Sequence, residues 1–450
     1  MVKLEVVRLK PLIPKMKTKY KAFYQGKKAF EFDFSGDLVS SDGGLLLLEN
    51  LNRRIGLTAS FSGVVPDGRD PYRIRHELVD LIRQRVLLLS CGYEDGNDLG
   101  YLGDDPLLSA LFESGLCSQP TMSRLENSLN IGSLYRLGLW WIDRYVSSLT
   151  ADRDYVVIDV DCTDDPTHGN QQGSLFHGYH WQWMYNELFY LDGESGQIIL
   201  PVLRPGNVHT SRWNERFLAI IVEKIRARFA EMQIIIRADS GFSNPRLYRL
   251  AAQYDLDFCI GMASNTRLKA LIKDDFERIK ADYDAQQIAH QQFVGPFSYQ
   301  ADSWDQPQEV YAKIESTGKG MNVRFYVSNF PDEDPEELYR EFYVMRGEAA
   351  ENRIKEIKNM CFSDRLSCHR FSANYLRLML SCLAYELIRE LRGCIRKTDH
   401  KKAHKWSIQT IRLRLLKVAA QVKVRVRSIQ IALSKAFSHQ NLFKEVILQC

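Results

Sequence analysis

The sequence has no uninterrupted apolar run of the ~18 residues that a helical membrane span requires, which excludes an integral helical membrane protein. It has no CxxC pair either, because its nine cysteines, at 91, 117, 162, 259, 361, 368, 382, 394 and 450, are scattered and odd in number. Scattered thiols suit a reducing compartment and argue against a disulfide framework or a cysteine zinc site. The opening residues are too rich in lysine, and too short of continuous apolar sequence, for a secretory signal. Internal repeats and low-complexity tracts are absent as well. A soluble, cytoplasmic globular chain is the expectation. With 45% apolar and 11% aromatic residues over 450 positions it can bury a large core, in roughly two to four domains.

Charge is present but unevenly spread. The net charge of +4 conceals nine Lys/Arg against one acid in residues 1–30 and fourteen against two in residues 389–435, which leaves 37 basic and 53 acidic residues elsewhere. Such runs are ordinarily solvated surface. Basic ends around an acidic centre also suit a protein that grips nucleic-acid phosphates and holds metal between carboxylates.

The apolar spacing divides the chain. After a basic arm, 1–44, residues 45–150 read as helical, with helical periodicity over 73–91 and a second helix in "CSQPTMSRLENSLN", 117–130. There Ser118 can cap, Pro120 suits the first turn, and Thr121, Ser123 and Arg124 lie near the opening surface, where a helix can contact DNA. Residues 151–264 then alternate strand and helix: "YVVIDVDCT" (155–163), a hairpin of 178–191 and 197–203 about "DGESG", a helix from Trp213, the strand 233–238, a Pro245-started helix and the short strand "FCIG". Strand, hairpin, helix, strand, helix, strand is the order of the ribonuclease-H-like fold, in which the first and fourth strands are neighbours. Residues 265–340 break this rhythm with further strand-like stretches and resemble a β-rich insertion. Helical spacing resumes over 341–393, and a basic tail, 394–450, includes a strand period with a cationic face at 421–427.

The chemistry-bearing residues fall at strand ends. "IIIRADSGFSNP", 234–245, is a buried-strand pattern that stops on Asp239 before a Gly turn, the edge at which α/β sheets present ligand-binding groups. Asp159 and Asp161 are two apart on the earlier strand and share a face, so periodicity does not choose between them. On the helix 341–360, Glu351, Lys355 and Lys358 share a face, and Glu348 and Glu356 are the other acids in reach. Phosphoryl transfer by two Mg²⁺ ions uses such carboxylate oxygens. His168, His177, His180 and His209 cluster in sequence, but alternation would put His177 and His180 on opposite sides of a strand. Trp304 could stack on an extruded base or fill a core.

Six stretches, in order, carry a resemblance: "GYEDGNDLGYLGDDP" (92–106), "SQPTMSRLEN" (118–127), "DVDCTDDPTHGNQQG" (159–173), "RADSGFSNP" (237–245), "MRGEAAENRIKEIKN" (345–359) and "DRLSCHRFSANYLRLMLSCLAYEL" (364–387). The chain resembles the DDE transposases of bacterial insertion sequences, in the group with a β-rich insertion between the second Asp and the Glu. The resemblance implies Asp161, from Asp161-Cys162-Thr163, as the first catalytic metal ligand, Asp239 as the second and Glu351 as the third. It also implies DNA contacts by Tyr343, Arg346 and Lys358, with Lys355 beside them, although four residues rather than three separate Arg346 from Glu351, which on an α-helix moves Arg346 round the axis. Two Mg²⁺ ions, replaceable by Mn²⁺, double-stranded element ends and target DNA as substrates, a homodimer on DNA, and a bacterial, nucleoid-associated location follow from the same resemblance. Two rivals remain: a haloacid-dehalogenase-type phosphatase reading "VVIDVDCT" with Asp159 as nucleophile and Asp161 as acid, and a DNA-binding relative without catalysis.

Overall fold

In the computed structural model, residues 20–25, 27–286, 289–318, 320–330 and 333–450 are described. Residues 1–19 of the basic arm lie outside them. The chain begins with a ribbon of β1 (Tyr20–Gln25) and β2 (Lys28–Phe32), then a short β3 (Val39–Ser40). Seven helices follow among the described residues: α1 (Leu45–Ile55), α2 (Leu57–Ser62), α3 (Leu78–Cys91), α4 (Asp98–Tyr101), α5 (Pro106–Leu111), α6 (Gln119–Glu126) and α7 (Ile131–Ser148). The periodicity starting at residue 73 overshoots, because Pro71–Arg73 forms its own 3₁₀ turn capped by Asp70 and α3 begins only at Leu78.

The β-branched runs then build one sheet from β4 (Tyr155–Pro166), β5 (Leu175–His177), β6 (Gln182–Asp192) and β7 (Ile198–Pro205), helix α8 (Asn214–Arg228), β8 (Gln233–Ala238), helix α9 (Pro245–Tyr254) and β9 (Asp257–Met262). Strand β4 is at the centre. It pairs antiparallel with β6 and parallel with β8, which in turn pairs parallel with β9, while β7 and β5 both pair with β6 on its far side. The hairpin expected about "DGESG" is β6 and β7. Helices α10 (Thr266–Leu271) and α11 (Lys273–Gln286) interrupt the strand pattern expected beyond 265. The strand-like stretches then become β10 (His290–Tyr299), β11 (Gln308–Thr317) and β12 (Gly320–Ser328). Because β12 pairs antiparallel with β9, these strands widen the same sheet, whose order is β10-β11-β12-β9-β8-β4-β6-β5 with β7 beside β6. The architecture is mixed α/β about a large mixed sheet.

A short α12 (Pro335–Glu337) leads through π-helical turns at Leu338–Tyr343 and Gly347–Glu351 into α13 (Asn352–Cys361) and then α14 (Phe371–Arg396). Helix α14 is apolar on more than one side, and 20 of its 26 residues are buried, as an all-round apolar helix must be. It lies against α3, α1, α13 and β7, and so fastens the helical region to the sheet. Its one fully buried acid, Glu386, is paired with Arg144 and Arg389 at 3.0 and 3.1 Å and accepts the Ile198 N–H at 2.8 Å. Burial opposes ionisation there, but Arg389 and Arg144 hold the carboxyl below its ordinary value. Helix α15 (Ile408–Ile411), strands β13 (Ala420–Arg425) and β14 (Ser428–Leu433), and α16 (Gln440–Gln449) complete the chain, with β13 pairing β3 as well as β14. Lys423, Arg425 and Arg427 are exposed, but so are Val424 and Val426, so the alternating face buries only Val422. Among the described residues no helix is long and apolar enough to cross a membrane.

Candidate active site

Parallel pairing places the first two carboxylates. Val160 lies opposite Ala238 in the β4–β8 register, so Asp161 and Asp239, the next residue on each chain, emerge side by side at the carboxyl edge. Adjacent strands are ~4.8 Å apart. Asp239 also caps the 3₁₀ turn Ser240–Phe242, its Oδ1 accepting the Gly241 N–H at 2.8 Å. A side chain at Gly241 would press on Thr210 at 3.0 Å and on Asp239 at 3.1 Å. The Gly in "ADSG" therefore serves the fit of the turn against Thr210.

The two aspartates of β4 have different environments. Asp159 is completely buried and is forked by Arg237, which donates from Nε and Nη2 at 2.6 and 2.9 Å. Arg237 Nη1 continues to the Phe342 carbonyl at 2.8 Å. Asp161 keeps 9% of its surface, accepts its own neighbour's N–H from Cys162 at 2.8 Å and meets Arg346 Nη1 at 3.1 Å. Burial pushes the Asp161 carboxyl up to about 7, against the pull of Arg346 and with added repulsion from Asp239 and Glu351.

Arg346 joins the third acid to the first. Its Nη2 donates to Glu351 Oε1 at 3.0 Å while Nη1 holds Asp161, so one guanidinium bridges residues from β4 and from the helix. The sequence spacing argues otherwise: five residues apart on an α-helix, two side chains are about 140° apart. The structure corrects this. Gly347–Glu351 is a π-helical turn, whose i→i+5 bonding brings the fifth residue back over the first. The extra residue is absorbed as a local widening, and Arg346 regains the face of Glu351.

Tyr343 stacks on Tyr326 of β12 with centroids 6.0 Å apart, and a side chain at Gly261 would collide with its hydroxyl. Burial raises its phenol to about 12, with Arg346 opposing. Tyr343, Arg346 and Glu351 line one cavity of about 330 Å³ with Ser240 and Gly261. Lys358 reaches β4 just past Asp161, donating to Thr163 Oγ1 at 3.3 Å and pairing with Asp164 at 3.3 Å. Lys355, expected on the same face, is exposed to solvent. Glu356 is buried and forked by Arg392 at 3.1 and 2.6 Å, a structural anchor. The side chain of Glu348 lies outside those described.

Other expected residues sit elsewhere. Thr121, Ser123 and Arg124 lie on α6, whose neighbours are α4 and α14; Arg124 is exposed, and the Thr121 hydroxyl is 3.0 Å from that of Ser118. Trp304 is 9% exposed and wedged edge-on between Tyr248 and Tyr299, at 4.9 and 5.3 Å. It fills a core, and stacking on a base would require it to leave that packing. His177 and His180 do not face opposite sides of a strand, because 178–181 is a turn and their rings lie 4.9 Å apart. Among the described residues no three His, Cys, Asp or Glu side chains form a ready metal cage. Missed by the sequence reading were Asp165 and Glu187, both buried, on neighbouring strands beneath Lys358. Burial pushes both carboxyls well up, with Glu187 adding repulsion at Asp165 and Asp364 and Asp164 adding it at Glu187; the dense acids of "DVDCTDDP" are the only signal for Asp165, and Glu187 has none.

The family described as "Transposase DDE domain group 1" matches residues 24–449. Among curated proteins none matches. Among solved structures the chain is similar to one titled "Cryo-EM structure of piggyBac transposase synaptic complex with hairpin DNA", at 13% identity and a TM-score of 0.42, over 84% of this chain and 80% of that one.

Proposed function

The chain belongs to the transposase DDE domain group 1 family, and from that premise we propose that it binds the ends of its own insertion element, hydrolyses a phosphodiester at each and joins the freed 3′ hydroxyl to target DNA. One observation carries the reading: acids distant in sequence, Asp161 and Glu351, are drawn onto a single guanidinium beside Asp239. Carboxylates crowded in this way disfavour one another's ionisation, and a bound cation would relieve that repulsion. The sheet order β7-β6-β4-β8-β9 supports a ribonuclease-H-like core, which we assign to residues 151–264 and 341–393, interrupted by 265–340. Residues 45–150 would read the element ends through Thr121, Ser123 and Arg124, and the basic ends would add phosphate contacts.

The residues fit a divalent metal by donor type, since Asp161, Asp239 and Glu351 offer the carboxylate oxygens that Mg²⁺ or Mn²⁺ takes, and Arg346 already supplies positive charge between two of them. When bound, two such ions supply charge that stabilises the attacking and leaving oxygens. The chain's own groups do the rest. Arg346 and Lys358 would neutralise the phosphates on either side of the scissile bond, and Tyr343 would close the cavity wall. A homodimer on DNA, in a bacterial cytoplasm, completes the proposal. The phosphatase reading needs Asp159 to be an accessible nucleophile, and its burial under Arg237 speaks against that. Asp239→Asn should abolish nicking of an element-end duplex in Mg²⁺ while end binding is retained; undiminished nicking would refute the assignment.

A further inference from the structure

The hairpin that ends the sheet beyond β6 exposes an unusual number of rings. Phe176 and Trp183 are directly opposite across β5 and β6, and Phe176 meets Trp181 and Trp183 edge-on at 5.4 and 6.2 Å. Trp181 is 80% exposed and Trp183 57%, with Tyr179 at the turn tip equally open. Trp181 has φ +55°, a left-handed conformation that a bulky residue adopts only at a cost. Clustered exposed aromatics mark a surface with a partner.

Its surroundings indicate the partner's chemistry. Two adjoining cavities, of about 500 and 540 Å³, share Thr167, His168, Asn170, Gln171 and His369 in their walls. Trp183 lines one and Arg365 the other, where Asp364 is the single acid among the described lining residues. Neither cavity is lined by the candidate catalytic carboxylates, but a single stretch of chain leads from those carboxylates to the cavity walls. Along β4 the order is Asp161, then Thr163 and Asp164 holding Lys358, and one residue past the end of the strand is Thr167, whose N–H donates to the Trp183 carbonyl at 2.9 Å. Six residues of strand cover ~20 Å. Apolar faces for stacking and donors and acceptors for base edges stand together here, with Arg365, paired with Glu94 at 3.3 Å, as the cation of the cleft wall, and stacking faces beside a cationic group are what single-stranded nucleic acid uses.

We infer that the β5–β6 hairpin and the adjoining cleft bind unpaired DNA bases of the strand leaving the reacting carboxylates, with Trp181 and Trp183 as the stacking platform. The inference rests on the reading of Asp161 and Asp239 as the reacting centre for its direction along β4. The aromatic role that the sequence suggested for Trp304 is thereby assigned to residues that have free ring faces.

The test uses the full chain without divalent metal, so that binding is measured apart from nicking. The probes are a labelled twelve-nucleotide oligothymidine, a backbone of equal length lacking bases, and a twelve-base-pair duplex, followed by fluorescence anisotropy. The double change Trp181→Ala/Trp183→Ala should weaken oligothymidine binding roughly tenfold or more, leave the duplex unchanged, and reduce oligothymidine to the affinity of the baseless backbone. Trp181→Phe/Trp183→Phe should restore most of the loss. Both residues are on the surface, so melting should match the parent chain. Equal oligothymidine affinity in parent and variant would overturn the inference, and so would an equal loss for the duplex. A shift of the variant to smaller species in sedimentation, with DNA binding intact, would make the patch a protein interface instead. If the carboxylate assignment alone is wrong, Asp239→Asn still nicks and the oligothymidine result stands.

Discussion

Asp159 and Asp161, two residues apart on β4, should respond to the same Asn substitution in opposite ways. Asp159 is fully buried with a 4%-exposed Arg237. Burial lifts its carboxyl above the ordinary value even against that arginine, so the intact pair contributes little net stability. Removing one partner is another matter, because Arg237 is left charged and buried, at a cost of about 3–5 kcal/mol. Asp161 is the reverse case. A carboxyl moved from 3.8 to about 7 carries on the order of 4 kcal/mol of destabilisation once ionised. The folded value lies above the unfolded one, so the associated stability is full below pH ~4 and is lost as the pH rises to 7. Asp161→Asn relieves that loss, and nothing further is subtracted for Arg346, whose pull is already contained in the value of about 7. In EDTA at pH 8, urea unfolding should show Asp159→Asn destabilised by about 3–5 kcal/mol and Asp161→Asn stabilised by up to about 4 kcal/mol. The second difference should vanish at pH 4. Nicking per folded molecule should survive in the first and disappear in the second. A stable but inactive Asp159→Asn protein, or an Asp161→Asn protein weaker than the parent at pH 8, would refute the reasoning.

On the third acid, Glu351→Gln should abolish nicking of an element-end duplex in Mg²⁺ with melting unchanged, whereas Glu356→Gln should keep the chemistry and lose about 3 kcal/mol as Arg392 is stranded; Glu348→Gln should do neither. Deleting Ala349 should convert the π-turn to α-helix and retain the Arg346–Glu351 pair, so nicking should persist, while deletion of one residue within α13 should abolish it. Neutralising Lys423, Arg425 and Arg427 should flatten the slope of log affinity against log salt for any duplex by roughly 0.9 per lost phosphate contact; an unchanged slope means that the charges are merely solvated.

Local signals carried much of this fold. The strand at 155–163, the hairpin at "DGESG", the Asp239 edge and the all-round apolar α14 follow from periodicity and turn chemistry, because each is decided within about ten residues. What failed was decided at a distance. Periodicity could not separate Asp159 from Asp161, because the difference is the position of Arg237, 78 residues on. Alternation misjudged His177 and His180, since only the β5–β6 pairing reveals the turn between them. Trp304 in a polar stretch carries no mark of the Tyr248 and Tyr299 that enclose it. A five-residue spacing between Arg346 and Glu351 looked like a fault because a helix was assumed to be α throughout.

That spacing is held by its surroundings. The segment carrying Arg346 and Glu351 is fixed on one side by Arg237, which grips the Phe342 carbonyl and lies over its ring at 5.0 Å while forking Asp159. On the other side Tyr343 stacks on Tyr326 of β12, and Tyr339 packs against the same ring at a tilt, 5.3 Å between centroids. One fastening runs from the central strands and the other from the strands that 265–340 adds to the sheet. A π-turn alone is poorly bonded and would relax to α-helix. Clamped at Phe342 and Tyr343, just before it, and continued by α13 just after, it has a fixed entry and exit, and the extra residue must be accommodated where it lies. Strands β10 to β12 are then part of what positions the third carboxylate, because without β12 the tyrosine stack has no base and the arginine bridge between Asp161 and Glu351 loses one of its two supports.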